Sequence, residues 1–288
     1  MAKLPLNLNK IVEAWKEASS QATESAGITL AGDPRLVGLA QRRFSSGGTV
    51  PATWVGPVTQ PAGPAPMAGP APMAGEVLVV FVEPAQESQV RSALPQVKTG
   101  GAVLVVDEGP GATGKITPLG EGYLRVSFSN TPSGWQRVFE ACARAAGSHV
   151  VALGRRYPVL RDAAARQVVY RTAGQNALIG LAFFVPGADM PVMTLNQIKM
   201  ALSIANVYGE SIDRERALEL AAVAGMGFGL RALARSLVRS TSGIGWAIKG
   251  ATGFAATLAM GMAAIRYFEK GAPASTGKVA ALAGSRKR

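Results

Sequence analysis

The sequence predicts an α+β chain: a small α/β domain on a parallel sheet of three to four strands, then an all-α domain of hydrophobic helices. Two observations predict it. Val-rich stretches at residues 77–82, 102–106 and 123–128 alternate with helical stretches, and continuous apolar strands separated by helices belong to parallel sheets covered on both faces. Beyond Pro158 no strand signal recurs, and Ala, Gly, Leu and Met fill helix-length runs whose charges stand at their ends.

The elements follow in order. Residues 8–25 carry Leu8, Ile11, Val12 and Trp15 at helical spacing, which predicts an amphipathic helix that packs on the main body or lies on a membrane or partner. With the basic segment around Arg42 and Arg43 it makes up residues 1–48. Residues 49–75 form a linker: Gly-Pro-Ala-Pro-Met-Ala occurs twice in tandem from Gly63 to Ala74, and such a segment buries too little apolar surface to fold. The α/β domain spans 76–155, with a helix over 86–94, a second over 133–146 and a strand or helix over 149–153. In the second helix Trp135, Val138, Phe139 and Cys142 take core spacing. The helical domain spans 156–270, with helices over 159–185, 192–208, 213–239 and 244–268. A basic tail, 271–288, is expected to be disordered.

Composition narrows the chemistry. Of 288 residues 48% are hydrophobic and 17% charged, and the net charge of +12 favours anionic surfaces, either phospholipid or nucleic acid. A single cysteine, Cys142, excludes an intramolecular disulfide framework, and a single histidine, His149, excludes a Cys/His zinc cluster. The first ten residues lack an apolar core of signal-peptide length, so the chain is expected on the cytoplasmic side.

No catalytic set, metal set or cofactor site emerges. Gly109, Gly114 and Lys115 have the spacing of a phosphate-binding loop, yet Ile116 stands where Ser or Thr would hold magnesium. The loop also leads into a strand and not into a helix N-terminus, so these residues are weak nucleotide candidates and a surface loop is the plainer reading. Asp107 and Glu108 end a strand and are expected to point to opposite faces. Cys142 and His149 stand about 10 Å apart along a helix, too far for a thiolate–imidazole pair.

Basic residues beside apolar helices are more informative. Arg231, Arg235 and Arg239 form a stripe on one helix face, and with Lys249 and Arg266 they are candidates to face a membrane or another anion. A solvated face is the alternative. Nucleic acid is disfavoured because no aromatics interleave with the arginines. The charge-free runs between Arg171 and Asp189 and between Lys249 and Arg266 fall a little short of the roughly 20 residues that span a bilayer. Gly253, Thr257 and Gly261 allow a close helix approach, within the chain or to a second copy in a homo-oligomer. Ala255, Ala259 and Ala263 repeat the spacing on a neighbouring face. Membrane association, by hairpin insertion or peripheral docking, and a compact bundle both remain open.

Pro186, Asp189 and Pro191 in Phe184-Val-Pro-Gly-Ala-Asp-Met-Pro191, Gln197, Tyr208 and Gly209 in Ile204-Ala-Asn-Val-Tyr-Gly209, and the Gly/Ala-rich helix closing on Glu269 resemble the bacterial domain of unknown function 697 over residues 170–270. The resemblance implies a membrane-associated helical hairpin that accompanies small GTPases, and makes the α/β part a degenerate GTPase sheet. Neither a phosphate loop after residues 77–82 nor a guanine motif after 102–106 is present. The expected function is therefore a non-catalytic protein at the cytoplasmic face of the inner membrane, its hairpin anchoring an α/β module that binds a partner protein or a GTPase. The alternatives are a nucleotide-binding enzyme with a degenerate site and a basic nucleic-acid- or ribosome-binding module.

Overall fold

The computed structural model describes residues 8–53, 76–94, 100–120, 122–182, 190–210 and 245–270. The tandem repeat, the turn with Pro186 and Asp189, the helix expected over 213–239 with Arg231, Arg235 and Arg239, and the tail lie outside the described residues, as does the Lys249 side chain.

Strands β1 (Gly27–Gly32), β2 (Ala52–Thr53), β3 (Glu76–Val82), β4 (Gly101–Asp107), β5 (Ile116–Gly120) and β6 (Tyr123–Phe128) form one sheet in the order β2-β1-β3-β4-β6-β5. Neighbours are parallel except β5, which runs antiparallel to β6 as an edge strand. Pro118 sits on that edge, where a missing N–H is tolerated.

The sheet corrects the expected three to four parallel strands: it has six and is mixed. The first 48 residues, expected as a separate segment, supply the interior strand β1 and the helix packed on it. In β1, Gly27, Thr29 and Gly32 interrupt the apolar run and hide the strand signal. The same glycine is what the packing needs: Gly32 has φ +107°, and a Cβ there would lie 1.9 Å from the Phe81 carbonyl oxygen of β3.

The helices are α1 (Leu8–Thr23), α2 (Pro34–Phe44), α3 (Glu87–Ala93), α4 (Pro132–Ala145), α5 (Val150–Arg156), α6 (Arg161–Ala182), α7 (Met190–Val207) and α8 (Gly245–Glu269). The 149–153 stretch, open between strand and helix, is the start of α5. Strand alternation sends Val79, Phe81, Val103, Val105, Val126 and Phe128 to one face, under α2 and α4, where Trp135 meets Phe128 edge-on at 5.0 Å. Leu78, Val80, Val82, Leu104 and Val106 face the other way, towards Val90 and Leu94 of the α3 region.

The larger core continues without a break into the helices through Leu160, Ala164, Val169, Ile204, Val207 and Ile265. The boundary expected at residues 155–156 thus does not divide two cores. Tyr157, fully buried, accepts the Ile28 amide proton at 3.2 Å, and Arg156 donates to the Ala26 carbonyl at 2.7 Å, so the end of α5 pins the start of β1.

Helix α1 packs on α7 and α5 through Ile11, Ala14, Ala18 and Ala22. Trp15, expected among the apolar residues of this helix, stands half-buried beside that stripe. Asn206 donates to the Ala18 carbonyl at 3.1 Å, and Lys199 pairs with Glu17.

Small residues set the helix spacing. A Cβ on Gly261 of α8 would lie 2.5 Å from a Val169 methyl of α6. Gly261→Val is expected to push the two helices apart and cost about 1–3 kcal/mol, read as a lower urea midpoint. An unchanged midpoint would refute the close approach.

Candidate functional site

In open parallel sheets ligands bind at the carboxyl ends of strands where the strand order reverses, here between β1 and β3. Asp33 follows β1 and Glu83 follows β3. One carboxylate oxygen of Asp33 accepts the Arg35 and Leu36 amide protons at 2.9 and 3.0 Å, and Pro34 opens α2 directly behind it. The Asp33 amide donates to Phe81 at 2.8 Å. The helix N-terminus at which a phosphate would be bound therefore holds the chain's own carboxylate. Arg35 reaches Glu83 at 3.4 Å, both side chains exposed, so this pair adds little.

The next helix N-terminus is filled in the same way. Thr131 accepts the Gly134 amide proton at 3.1 Å, and the Trp135 indole donates to Asn130 at 2.9 Å. The N-termini of α2 and α4 are thus closed by a local side chain, while Gln86 ahead of α3 makes no capping bond.

The glycine loop after β4 closes on itself. The amides of Gly109, Ala112 and Thr113 donate to Asp107, to the Gly109 carbonyl and to the Ser127 hydroxyl at 3.2, 3.1 and 3.1 Å. Gly109 and Gly114 have positive φ, 70° and 64°, as turn residues. Lys115 is exposed on the strand side of this loop. Three of the loop's amides are thus turned inward.

Asp107 and Glu108 are likewise engaged: Asp107 with its own loop, Glu108 with Ser127 and with Arg125 at 2.8 Å. Arg125 also grips Glu87 of α3 through two bonds, 2.6 and 2.8 Å. The guanidinium bond holds the Glu87 carboxyl below its usual range, and the Ser127 hydroxyl followed by Arg125 does the same for Glu108. Cys142 is fully buried, and burial pushes its thiol far up, away from nucleophile chemistry. His149 lies 3.0 Å from Glu24 at the end of α1. Among the described residues no cluster of His, Cys, Asp or Glu could hold a metal ion.

The denser polar site lies between helices. Asn176 of α6, fully buried, donates to the Thr257 hydroxyl of α8 at 2.9 Å and to the Met193 carbonyl of α7 at 3.4 Å. It accepts from Asn196 at 2.9 Å. Gln197 donates to the same Thr257 oxygen at 3.0 Å, and Thr257 donates to the Gly253 carbonyl at 2.8 Å. Of the residues singled out in the sequence, Gln197, Thr257 and Gly253 come together here. Asn176 and Asn196 were missed; an adjacent pair of amides inside each apolar run, Gln175-Asn176 and Asn196-Gln197, is the signal that would have found them.

Gly253, Thr257 and Gly261 are buried within the chain, where the close approach they allow is made to α6 and α7. Tyr208 stacks on Phe268 at 6.2 Å and donates to Glu269 at 3.4 Å, and burial pushes its phenol well up. Gly209 closes α7 with φ +86°, and Pro191 is the second residue of that helix. These are structural roles.

Residues 172–182 of α6, 190–198 of α7 and 250–265 of α8 contain no Asp, Glu, Lys or Arg. Arg171, Arg266 and Lys270 are exposed just beyond. No described helix is long and apolar enough to cross a membrane.

Compared with known protein families, curated proteins and solved structures, the chain matches none. The resemblance over residues 170–270 thus stands on its motifs alone.

Asn176→Ala is expected to cost roughly 1–3 kcal/mol, because it strands buried partners on two helices; a chemical-denaturation midpoint equal to that of the unaltered protein would contradict this. The carboxylates also set a pH dependence. Both are depressed in the folded chain, so their contribution is complete above the ordinary value near 4.5 and lost as pH falls through the lower folded values. Arg125→Met should flatten that acid limb of stability against pH, and parallel profiles for the two proteins would exclude the Arg125 clasp.

Proposed function

We propose that this protein is a non-catalytic anchor at an anionic membrane surface, on the cytoplasmic face, where the sheet module presents a surface to a partner protein. The observation that carries the reading is the absence of charge from half or more of each of α6, α7 and α8, in stretches bounded by Arg171, Lys199, Lys249 and Arg266. A helix end facing only water gains from charged residues, whereas one meeting lipid loses by them. A net charge of +12 adds attraction to acidic headgroups.

The non-catalytic part rests on the carboxyl edge of the sheet. Asp33 and Thr131 occupy the N-termini of α2 and α4, three amides of the glycine loop are bonded internally, and Glu87 and Glu108 are held by Arg125. That edge suits a degenerate nucleotide-binding sheet kept as a scaffold. The motifs resembling domain of unknown function 697 agree with such a pairing of a sheet and an apolar helical part, and make a GTPase one candidate partner.

Flotation of the purified protein with vesicles of phosphatidylcholine, with and without phosphatidylserine, tests the reading. The expected result is binding to the anionic vesicles, weakened but not abolished by high salt, together with a flat calorimetric titration with GTP. Protein that stays at the bottom of the gradient with both compositions would remove the membrane function.

A further inference from the structure

Among the described residues the two faces of the sheet are covered unequally. Helices α2 and α4 lie over Val79, Phe81, Val103 and Val105, whereas the other face meets Val90 and Leu94 of the α3 region, with Leu119 and Tyr123 beside them. Helix α3 has seven residues, about 10 Å of rise, against about 23 Å for the seven-residue strands β3 and β4 that it connects. A helix about 10 Å across spans two strands at a spacing of about 4.8 Å, and those two are β3 and β4. Yet β1 is buried on this face as well. Thr29, in register with Leu78, is 5% exposed, and Ala31, in register with Val80, is 0% exposed. The helix that follows β1, α2, lies on the opposite face through Leu36, Ala40 and Phe44. The cover over β1 must come from another connection.

The hand of the crossovers selects it. From β1 the chain steps outward to β2 over one face through α2, and from β3 it steps the opposite way to β4 over the other face through α3. These two crossovers share one hand, and parallel crossovers are right-handed in about 98% of cases. From β2 the chain returns past β1 to β3, in the direction of the step from β3 to β4. The same hand carries residues 54–75 over the face of α3.

This segment lies outside the described residues, but its ends, Thr53 and Glu76, do not. Thr53 stands level with Val79 through Leu30, two strands across and three residues along from Glu76, so the ends are about 14 Å apart. Extended at 3.1 Å per residue, 54–75 would reach roughly 68 Å, so most of its length is free to lie on the face. Its chemistry suits burial. From Phe44 to Gly75 no residue is charged, and the six prolines within 54–75 bring no N–H that burial would leave unpaired. In a polyproline II chain residues three apart share a side, and every third residue from Val55 to Met73 is Val, Pro or Met. A solvated linker needs no such period.

We propose that residues 54–75 dock on this second face of the sheet, with the Val/Pro/Met side, Met67 and Met73 included, against Thr29, Ala31, Leu78 and Val80. The stretch expected to be a linker is then part of the α/β core and does there what α2 and α4 do on the first face. This cover does not depend on the membrane reading and survives its failure.

The test uses the full chain. In the unaltered protein, hydrogen peroxide is expected to oxidise Met67 and Met73 about tenfold more slowly than in the urea-unfolded chain, read by peptide mass spectrometry. Replacement of residues 54–75 by glycine and serine at equal length keeps the connection and removes its apolar side. That variant is expected to bind anilinonaphthalene sulfonate and to unfold at a lower urea midpoint. If it does not fold, the double variant Val58→Ser with Met67→Ser takes its place, with a smaller shift in the same direction. Methionines oxidised at the unfolded rate would overturn the docking whatever the variants do. Protected methionines with an unchanged midpoint and no dye binding in the variant would also overturn it, and would assign the segment to another surface of this chain or to a second copy.

Discussion

Asn176 has no water to turn to, and its need for partners fixes how α6, α7 and α8 meet. An amide buried without hydrogen bonds is destabilising by more than one ordinary contact contributes. Its donors and acceptor are met only when Thr257, Met193 and Asn196 arrive at one level. Apolar packing alone would let three apolar helices slide by a turn with little penalty. The polar cluster removes that freedom, and the small residues at Gly253 and Gly261 let the backbones come close enough to close it.

The sheet half obeys a different economy. Parallel strands covered on both faces place helix N-termini along one edge, and those dipoles attract anions. This chain supplies an anion and an acceptor itself at α2 and α4 through Asp33 and Thr131, and ties Glu87 and Glu108 to Arg125.

Much of this architecture was legible in the residues, and the exceptions share a cause. β3, β4 and β6 announce themselves because uninterrupted valines have few other places to go. α4 does so through Trp135, Val138 and Cys142, all of which are buried. β1 was hidden because its fitness for the sheet interior lies in what Gly32 lacks: the Phe81 carbonyl occupies the space of a missing side chain, and pattern reading counts side chains. β5 was hidden because a five-residue edge strand carrying Pro118 has half-buried residues and no clean alternation. In the candidate site, Gln197 and Thr257 could be named from their runs. That they share one oxygen with Asn176 could not, because the pairing is set across 81 residues of chain by helix register.

The link from Tyr157 to the amide of Ile28 joins residues 129 positions apart. At roughly 5–20 residues per second a ribosome needs on the order of 6–26 s to make that length of chain. β1 therefore leaves the ribosome long before the phenol that anchors it, and β3, its other neighbour, is made only after the proline-rich linker. Until then the two-residue β2 is the strand available to it, so the edge that β3 will cover stays open to mispairing throughout the interval.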